Sequence, residues 1–90
     1  MKTAQAGTLE SMDCVITVTE REEGAGTVVS VTGSSSVRFK TAIREKTGEV
    51  LTALGERDLS VDIQDNGAID LVLAARVEAA VKRLRGGAVS

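Results

Sequence analysis

Three segments of the chain carry the residue pattern of β-strands. Residues 14–19 and 59–64 alternate between apolar and polar side chains, which is the period of a strand with one buried face. Residues 27–32 are rich in β-branched side chains, which favour the same structure. The side chains predicted to enter the core are Cys14, Ile16, Val18, Val29, Val31, Leu59, Val61 and Ile63.

Two further segments repeat apolar residues at helical spacing. The first helix follows the Gly-Ser-Ser-Ser run at 33–36, which offers capping hydroxyls, and ends before Gly55, which suits a helix C-terminus. Gly48 lies inside this helix and predicts close packing or a local irregularity there. Asp70 is placed to cap the second helix. The predicted buried residues are Val37, Phe39, Ile43, Val50, Leu51 and Leu54 in the first helix and Leu73, Val77, Ala80, Val81 and Leu84 in the second.

The order of these elements is β-β-α-β-α, which predicts an α+β fold. A two-layer sandwich satisfies the pattern, with a three-stranded sheet and two helices on one face, because each element has one apolar side. We expect the first two strands to form an antiparallel hairpin, and the second and third to run parallel through a right-handed crossover. The position of the third strand in the sheet is left open. The 90 residues predict one domain, with residues 1–12 as a loop and residues 86–90 as a frayed tail.

Composition argues against several classes of function. The chain has no histidine, so we expect neither a hydrolytic triad nor a metal site. A net charge of −2 and a single aromatic residue, Phe39, argue against nucleic-acid binding. One cysteine, Cys14, cannot form an internal disulfide. No apolar run approaches the length of a membrane span and no secretory leader is recognisable, so we expect a cytoplasmic location.

One short motif precedes the first predicted strand. Residues 7–13 read Gly-Thr-Leu-Glu-Ser-Met-Asp and place Ser11 between the acidic residues Glu10 and Asp13. On local composition alone, this segment is an ordinary polar lead-in to a strand. A serine in a loop beside a flexible glycine is also within reach of another enzyme, which makes it a candidate for modification.

This motif resembles the attachment site of the acyl carrier (gamma) subunit of citrate lyase, where a Gly-Thr-Leu-Glu-Ser-x-Asp segment bears a prosthetic group on its serine. Residues 61–79 are also similar to that family, with a strand, an acidic turn containing glycine, an Ala-aliphatic-Asp step and a helix reading roughly Leu-x-Ala-Arg-aliphatic-Glu-Ala. Two separated matches in the same order are stronger than either alone. The resemblance covers nearly the whole chain, and residues 20–40 match in pattern only.

The resemblance implies a carrier subunit that performs no catalytic step itself. Ser11 would bear 2'-(5''-phosphoribosyl)-3'-dephospho-CoA through a phosphodiester, and the terminal thiol of that group would hold acetyl and citryl thioesters. The implied partners are the alpha (acyl transferase) and beta (citryl lyase) subunits of citrate lyase and the prosthetic-group transferase, with no nucleic acid and no membrane. Glu10 and Asp13 are either solvated surface charges or recognition points for basic groups on these partners.

Two kinds of alternative remain open. Within the carrier class, the chain could serve a citramalate lyase or a malonate decarboxylase, whose carrier bears a similar group. The Gly-Thr-Leu-Glu-Ser motif favours citrate lyase over the decarboxylase, and nothing in the motif distinguishes a citrate lyase from a citramalate lyase. The other class is a non-enzymatic protein-binding domain that docks a partner through an exposed edge or face of its sheet.

Overall fold

Four strands and two helices make up the computed structural model, which describes residues 1–33 and 36–86. The predicted α+β class is confirmed, but the predicted count of three strands was wrong. The additional strand lies within the segment 1–12, which the sequence predicted as a loop. It reads Thr-Ala-Gln-Ala-Gly, so it is short and lacks the repeated β-branched residues that reveal strands. The elements are β1 (Thr3–Gly7), β2 (Asp13–Glu20), β3 (Val28–Gly33), α1 (Val37–Ala53), β4 (Leu59–Asn66) and α2 (Asp70–Leu84).

The strands lie in the order β1-β2-β4-β3. β2 pairs antiparallel with both β1 and β4, and β3 pairs parallel with β4, as predicted for strands joined through α1. The predicted hairpin between residues 14–19 and 27–32 was wrong, because β4 lies between these strands. β4 buries every second residue whereas β3 is mostly exposed, so the burial of apolar surface favours β4 at the centre and β3 at an edge.

The core lies between one face of the sheet and the two helices. All five residues predicted to face inward from α2 are buried, whereas the prediction for α1 was partly wrong. In α1 the buried residues are Thr47 and Leu51, while Val37 and Phe39 are 80% and 64% exposed. α1 packs against the edge strand β3 and against α2, and its buried residues lie in its C-terminal half, so its first turns stay open to solvent. The core residues from the sheet include Cys14, Ile16, Val18, Val31, Leu59, Val61 and Ile63.

The ends of α1 follow the sequence signals for helix boundaries. The hydroxyl of Ser36 accepts a hydrogen bond from the backbone N–H of Phe39, at 3.4 Å. Gly55 follows the last helical turn with a φ of 71°, which confirms the predicted glycine at the C-terminus. The prediction of close packing or a local irregularity at Gly48 was wrong, because nothing lies within 4 Å of the position of an added Cβ and the helix is continuous. Predictions for residues 34–35 and 87–90, including most of the frayed tail, lie outside the described residues.

The start of α2 differs from its prediction by one residue. Ile69 occupies the N-cap position and provides no side-chain hydrogen bond, so the prediction that Asp70 caps the helix was wrong. Asp70 is the first helical residue instead, where its negative charge still interacts favourably with the positive end of the helix dipole. Neither helix within residues 1–33 and 36–86 is long and apolar enough to cross a membrane.

One end of the sheet gathers the segment that contains Ser11 and the starts of both helices. β1, β3 and β4 run in the same direction, and β2 runs against them. Their shared end therefore holds the loop 8–12 between β1 and β2, the start of α1 after β3, and the connection 67–69 between β4 and α2. We call this region the serine end of the molecule.

Candidate functional site

Ser11 lies at the tip of the connection between β1 and β2, and its side chain is exposed. The backbone N–H of Asp13 donates to the carbonyl oxygen of Glu10 at 3.2 Å, which closes a β-turn with Ser11 at its second position. Met12, at the third position, has a positive φ of 65°, which a type II β-turn requires at that position. The hydroxyl is therefore presented on a tight turn and not within a strand. We call residues 8–13 the serine turn.

Asp13 holds this turn in place. Its two carboxylate oxygens accept hydrogen bonds from the guanidinium of Arg76, from Nε to Oδ1 at 3.0 Å and from Nη2 to Oδ2 at 2.7 Å. Oδ2 also accepts from the hydroxyl of Thr8 at 2.6 Å, and Oδ1 from the backbone N–H of Cys14 at 2.7 Å. The bidentate pair joins the loop to the middle of α2, and such pairs are geometrically specific.

The electrostatics of Asp13 follow from these contacts. The hydrogen bond from Arg76, followed by those from Thr8 and Cys14, holds the pKa of the Asp13 carboxyl well below its usual range. The residue is only 9% exposed, so it is not the solvated surface charge that one interpretation of the sequence expected. A recognition role for Asp13 or Glu10 stays a prediction. Glu10 is exposed and remains accessible to a partner, whereas both oxygens of Asp13 are already engaged within the chain.

Two residues to which sequence reasoning gave no role at this site support the serine turn. Arg76 was part of the quoted Leu-x-Ala-Arg pattern, which was the available signal, although the pattern gave no role for it. Asn66 binds the turn twice: its carbonyl oxygen accepts from the N–H of Met12 at 2.7 Å, and its side-chain amide donates to the carbonyl oxygen of Leu9 at 2.9 Å. The turn is therefore fixed both to α2 and to the end of β4.

An apolar groove of about 620 Å³ lies between the start of α1 and the connection from β4 to α2. The groove adjoins the serine turn, because an added Cβ at Gly67 would lie 3.8 Å from the backbone of Met12. Asp65 and Asp70 supply the acidic part of its lining. Its lining residues are Ser36, Phe39, Ala42, Ile43, Asp65, Gly67, Ala68, Ile69 and Asp70.

The chemistry available at Ser11 is that of an acceptor. The Ser11 hydroxyl has no hydrogen-bonded base among residues 1–33 and 36–86, and the nearby carboxylate of Asp13 is committed to Arg76. Nucleophilic catalysis by serine needs an adjacent base that removes its proton. Within the described part of the chain there is also no cluster of three or more His, Cys, Asp or Glu residues that could hold a metal ion. An exposed hydroxyl without a base suits modification by a separate enzyme.

Comparison with known proteins identifies the family. A family model described as the malonate decarboxylase delta subunit (MdcD), in an acyl carrier protein family, matches residues 1–84. The citrate lyase acyl carrier protein of Clostridium perfringens is 38% identical over 84 residues, which are 91% of this chain and 80% of that protein. The chain belongs to this acyl carrier family. The citrate lyase acyl carrier protein of Streptococcus uberis is likewise 38% identical over 86 residues, covering 96% of this chain and 83% of the relative.

The fold of the acyl carrier family is also seen in a solved structure. A chain of a Pseudomonas malonate decarboxylase hetero-tetramer, crystallised with malonate, superposes with a TM-score of 0.77 at 19% sequence identity. The match covers 92% of this chain and 84% of the other. At this identity the likeness concerns the fold. The resemblance drawn from residues 7–13 and 61–79 is confirmed by the family match, which spans both motifs.

Proposed function

We propose that the chain is the acyl carrier subunit of a citrate lyase and that it bears its prosthetic group on the hydroxyl of Ser11. The observation that carries the proposal is an exposed serine at the tip of a turn that Asp13, Arg76 and Asn66 hold in place. The names of the relatives support the citrate lyase assignment, since those from Clostridium perfringens and Streptococcus uberis are both citrate lyase acyl carrier proteins.

The prosthetic group that we propose is phosphoribosyl-dephospho-CoA in a phosphodiester with Ser11. The bond between Oγ and phosphorus forms as the leaving group of an activated donor departs, and the hydroxyl proton passes to a base of the transferase. The exposure of Ser11 gives such an enzyme access, and the fixed turn presents Oγ in one geometry. Glu10 adds negative charge beside the hydroxyl, so the transferase must supply the cations that balance the phosphates. When bound, the group supplies a terminal thiol that carries acyl groups as thioesters.

The contribution of the chain itself is to tether and position. A thiol fixed to Ser11 meets the active sites of the alpha and beta subunits at high effective concentration, without release to solvent. The structure supports a non-catalytic role because Ser11 has no base among the described residues and the chain has no histidine. The alpha subunit would exchange the acyl group on the carrier and the beta subunit would cleave its citryl form.

A carrier of malonate decarboxylase is the second candidate. It is favoured by the description of the matching family model and by the fold of the Pseudomonas hetero-tetramer. The citrate lyase reading is preferred because citrate lyase carriers reach 40% identity over 80 residues, as in Vibrio cholerae. Reconstitution with the alpha and beta subunits of citrate lyase separates the two, because a decarboxylase carrier would not restore citrate cleavage.

Intact mass and peptide mapping test the attachment. Protein from a host that contains the modifying enzymes should carry one large adduct on the peptide with Ser11, and Ser11→Ala should carry none. Ser11 is exposed and unpaired among the described residues, so this change should alter the free energy of unfolding by less than about 0.5 kcal/mol. Ser30→Ala is the matched control, since Ser30 is an exposed serine on β3. An adduct that persists in Ser11→Ala would overturn the assignment, and a folded chain that stays unmodified in that host would support the protein-binding alternative.

A further inference from the structure

The groove at the serine end has the size and character of a small-molecule site. Its volume of about 620 Å³ lies within the roughly 300–1,000 Å³ of typical ligand pockets. Phe39 and Ile69 line it although they are 64% and 55% exposed, so apolar surface remains open to solvent there. A neutral ligand that covers this concave surface removes apolar area from water, which is favourable.

We propose that this groove shelters the neutral, thiol-bearing part of the prosthetic arm while the arm is between partner active sites. The inference rests on the proposed function, because it requires a group attached to Ser11. It goes beyond that function by assigning the chain a binding site for the arm in addition to its point of attachment.

The position of the groove carries the first part of the argument. Ser11 precedes Met12, whose N–H donates to the carbonyl oxygen of Asn66 at 2.7 Å. Gly67, which follows Asn66 in the chain, lines the groove and lies against the backbone of Met12. A group on Ser11 is therefore tethered at the edge of the groove. Such a tether gives the group a high local concentration, so even weak apolar contacts suffice to keep it there.

The charge of the lining residues determines which part of the arm enters the groove. Asp65 and Asp70 line the groove, and no basic side chain is among the described residues that do so. Phosphate groups are repelled by such a lining and stay near Ser11, in solvent. The outer part of the arm holds two amides, a hydroxyl, a dimethyl-substituted carbon and a thiol, and it carries no charge. An uncharged segment covers the apolar side chains of the groove, such as Phe39 and Ile69, without repulsion from Asp65 and Asp70.

The reactivity of the arm thiol tests this assignment. Holoprotein whose adduct on Ser11 has been verified by mass should react with a disulfide reagent several-fold more slowly than free pantetheine. The thiol of Cys14 does not interfere, because the residue is fully buried and burial, together with the nearby carboxylates of Asp13 and Asp65, raises its pKa to about 11. The residual reaction rate of the Cys14 thiol is measured on Ser11→Ala, which carries no arm.

Paired substitutions isolate the groove. Ile69→Asp puts a charge on the lining at an N-cap position, where aspartate is favoured and the helix is retained. It should bring the thiol rate close to that of pantetheine. Leu71→Asp is the control, because Leu71 is 77% exposed in the same helix start but lies outside the lining. It should leave the rate slow. Phe39→Asp and Val37→Asp form a second pair in α1 with the same expectation.

The outcomes separate the two proposals. A missing adduct on Ser11 would refute the proposed function. A verified adduct whose thiol reacts as fast as pantetheine in the unsubstituted protein would overturn this inference alone. Equal rates for Ile69→Asp and Leu71→Asp would do the same. Weaker binding of the alpha or beta subunit by Ile69→Asp, with an unchanged thiol rate, would show that the groove docks a protein instead of the arm.

Discussion

Gly7 is the residue whose replacement tests most directly how the serine turn is built. It ends β1, pairs with Val15 of β2 and has a φ of 101°, which lies in the region that side chains other than glycine rarely adopt. An added Cβ would overlap the carbonyl oxygen of Cys14 on the neighbouring strand. Gly7→Ala therefore introduces both backbone strain and a clash between two strands at the start of the turn.

The expected loss of stability has three parts. A left-handed backbone costs roughly 1–2 kcal/mol for an alanine. The lower entropy of the unfolded chain offsets about 0.4–1 kcal/mol of this. Forcing an atom into a packed site adds about 1–3 kcal/mol. Gly24→Ala is the control, because Gly24 has a φ of 83° and nothing lies within 4 Å of its added Cβ. Gly7→Ala should thus lose about 1–3 kcal/mol more than Gly24→Ala.

Thermal unfolding followed by circular dichroism measures the difference. For a domain of this length, 1 kcal/mol corresponds to roughly 4–8 °C in Tm, so Gly7→Ala should unfold about 5–20 °C below Gly24→Ala. The extent of modification at Ser11, measured by mass in a host with the modifying enzymes, should also fall for Gly7→Ala alone. Equal Tm values for the two variants would refute the claim that close approach to Cys14 requires glycine at this position.

Two further predictions concern titratable groups. Because the pKa of Asp13 lies below its usual value near 4, its contribution to stability should be present above about pH 4 and be lost as the pH falls below it. The urea midpoints of the unsubstituted protein and Asp13→Asn should therefore differ at pH 7 and converge toward pH 2, and a constant difference would contradict this. Burial raises the pKa of Cys14 to about 11, so iodoacetamide at pH 8 should modify it only after unfolding in urea. Rapid alkylation of the native chain would show that the thiol is accessible.

Local periodicity explains what the sequence could predict. The inner face of α2 and the alternating faces of β2 and β4 were correct, because each follows from the spacing of apolar residues within a single element. The exposed position of Ser11 also followed from local signals, since glycine and acidic residues precede the strand. The buried side chains that confirm these faces include Ile16, Val18, Val61, Ile63, Leu73 and Val77.

The errors arise where the answer depends on distant parts of the chain. The place of β4 between β2 and β3 is decided by the total apolar surface that the sheet buries, which no single segment encodes. Arg76 lies 63 positions from Asp13, so their pairing could not be read from spacing. Apolar residues at the start of α1 were predicted to face inward, but Val37 and Phe39 are exposed and the buried residues of this helix lie in its C-terminal half. The groove was missed for the same reason, because it forms between two segments that are remote in sequence.

The bond between Asp13 and Arg76 has a consequence for the order of events during synthesis. The ribosome must synthesise the chain as far as Arg76 before the guanidinium that orders the serine turn is present. β2 likewise cannot pair with β4 until β4 has been made. Chains that end before Arg76 therefore lack the contact that fixes the turn and presents the Ser11 hydroxyl in one geometry. If the proposed function is correct, loading of the cofactor would be confined to finished, folded subunits, and incomplete chains would not consume it.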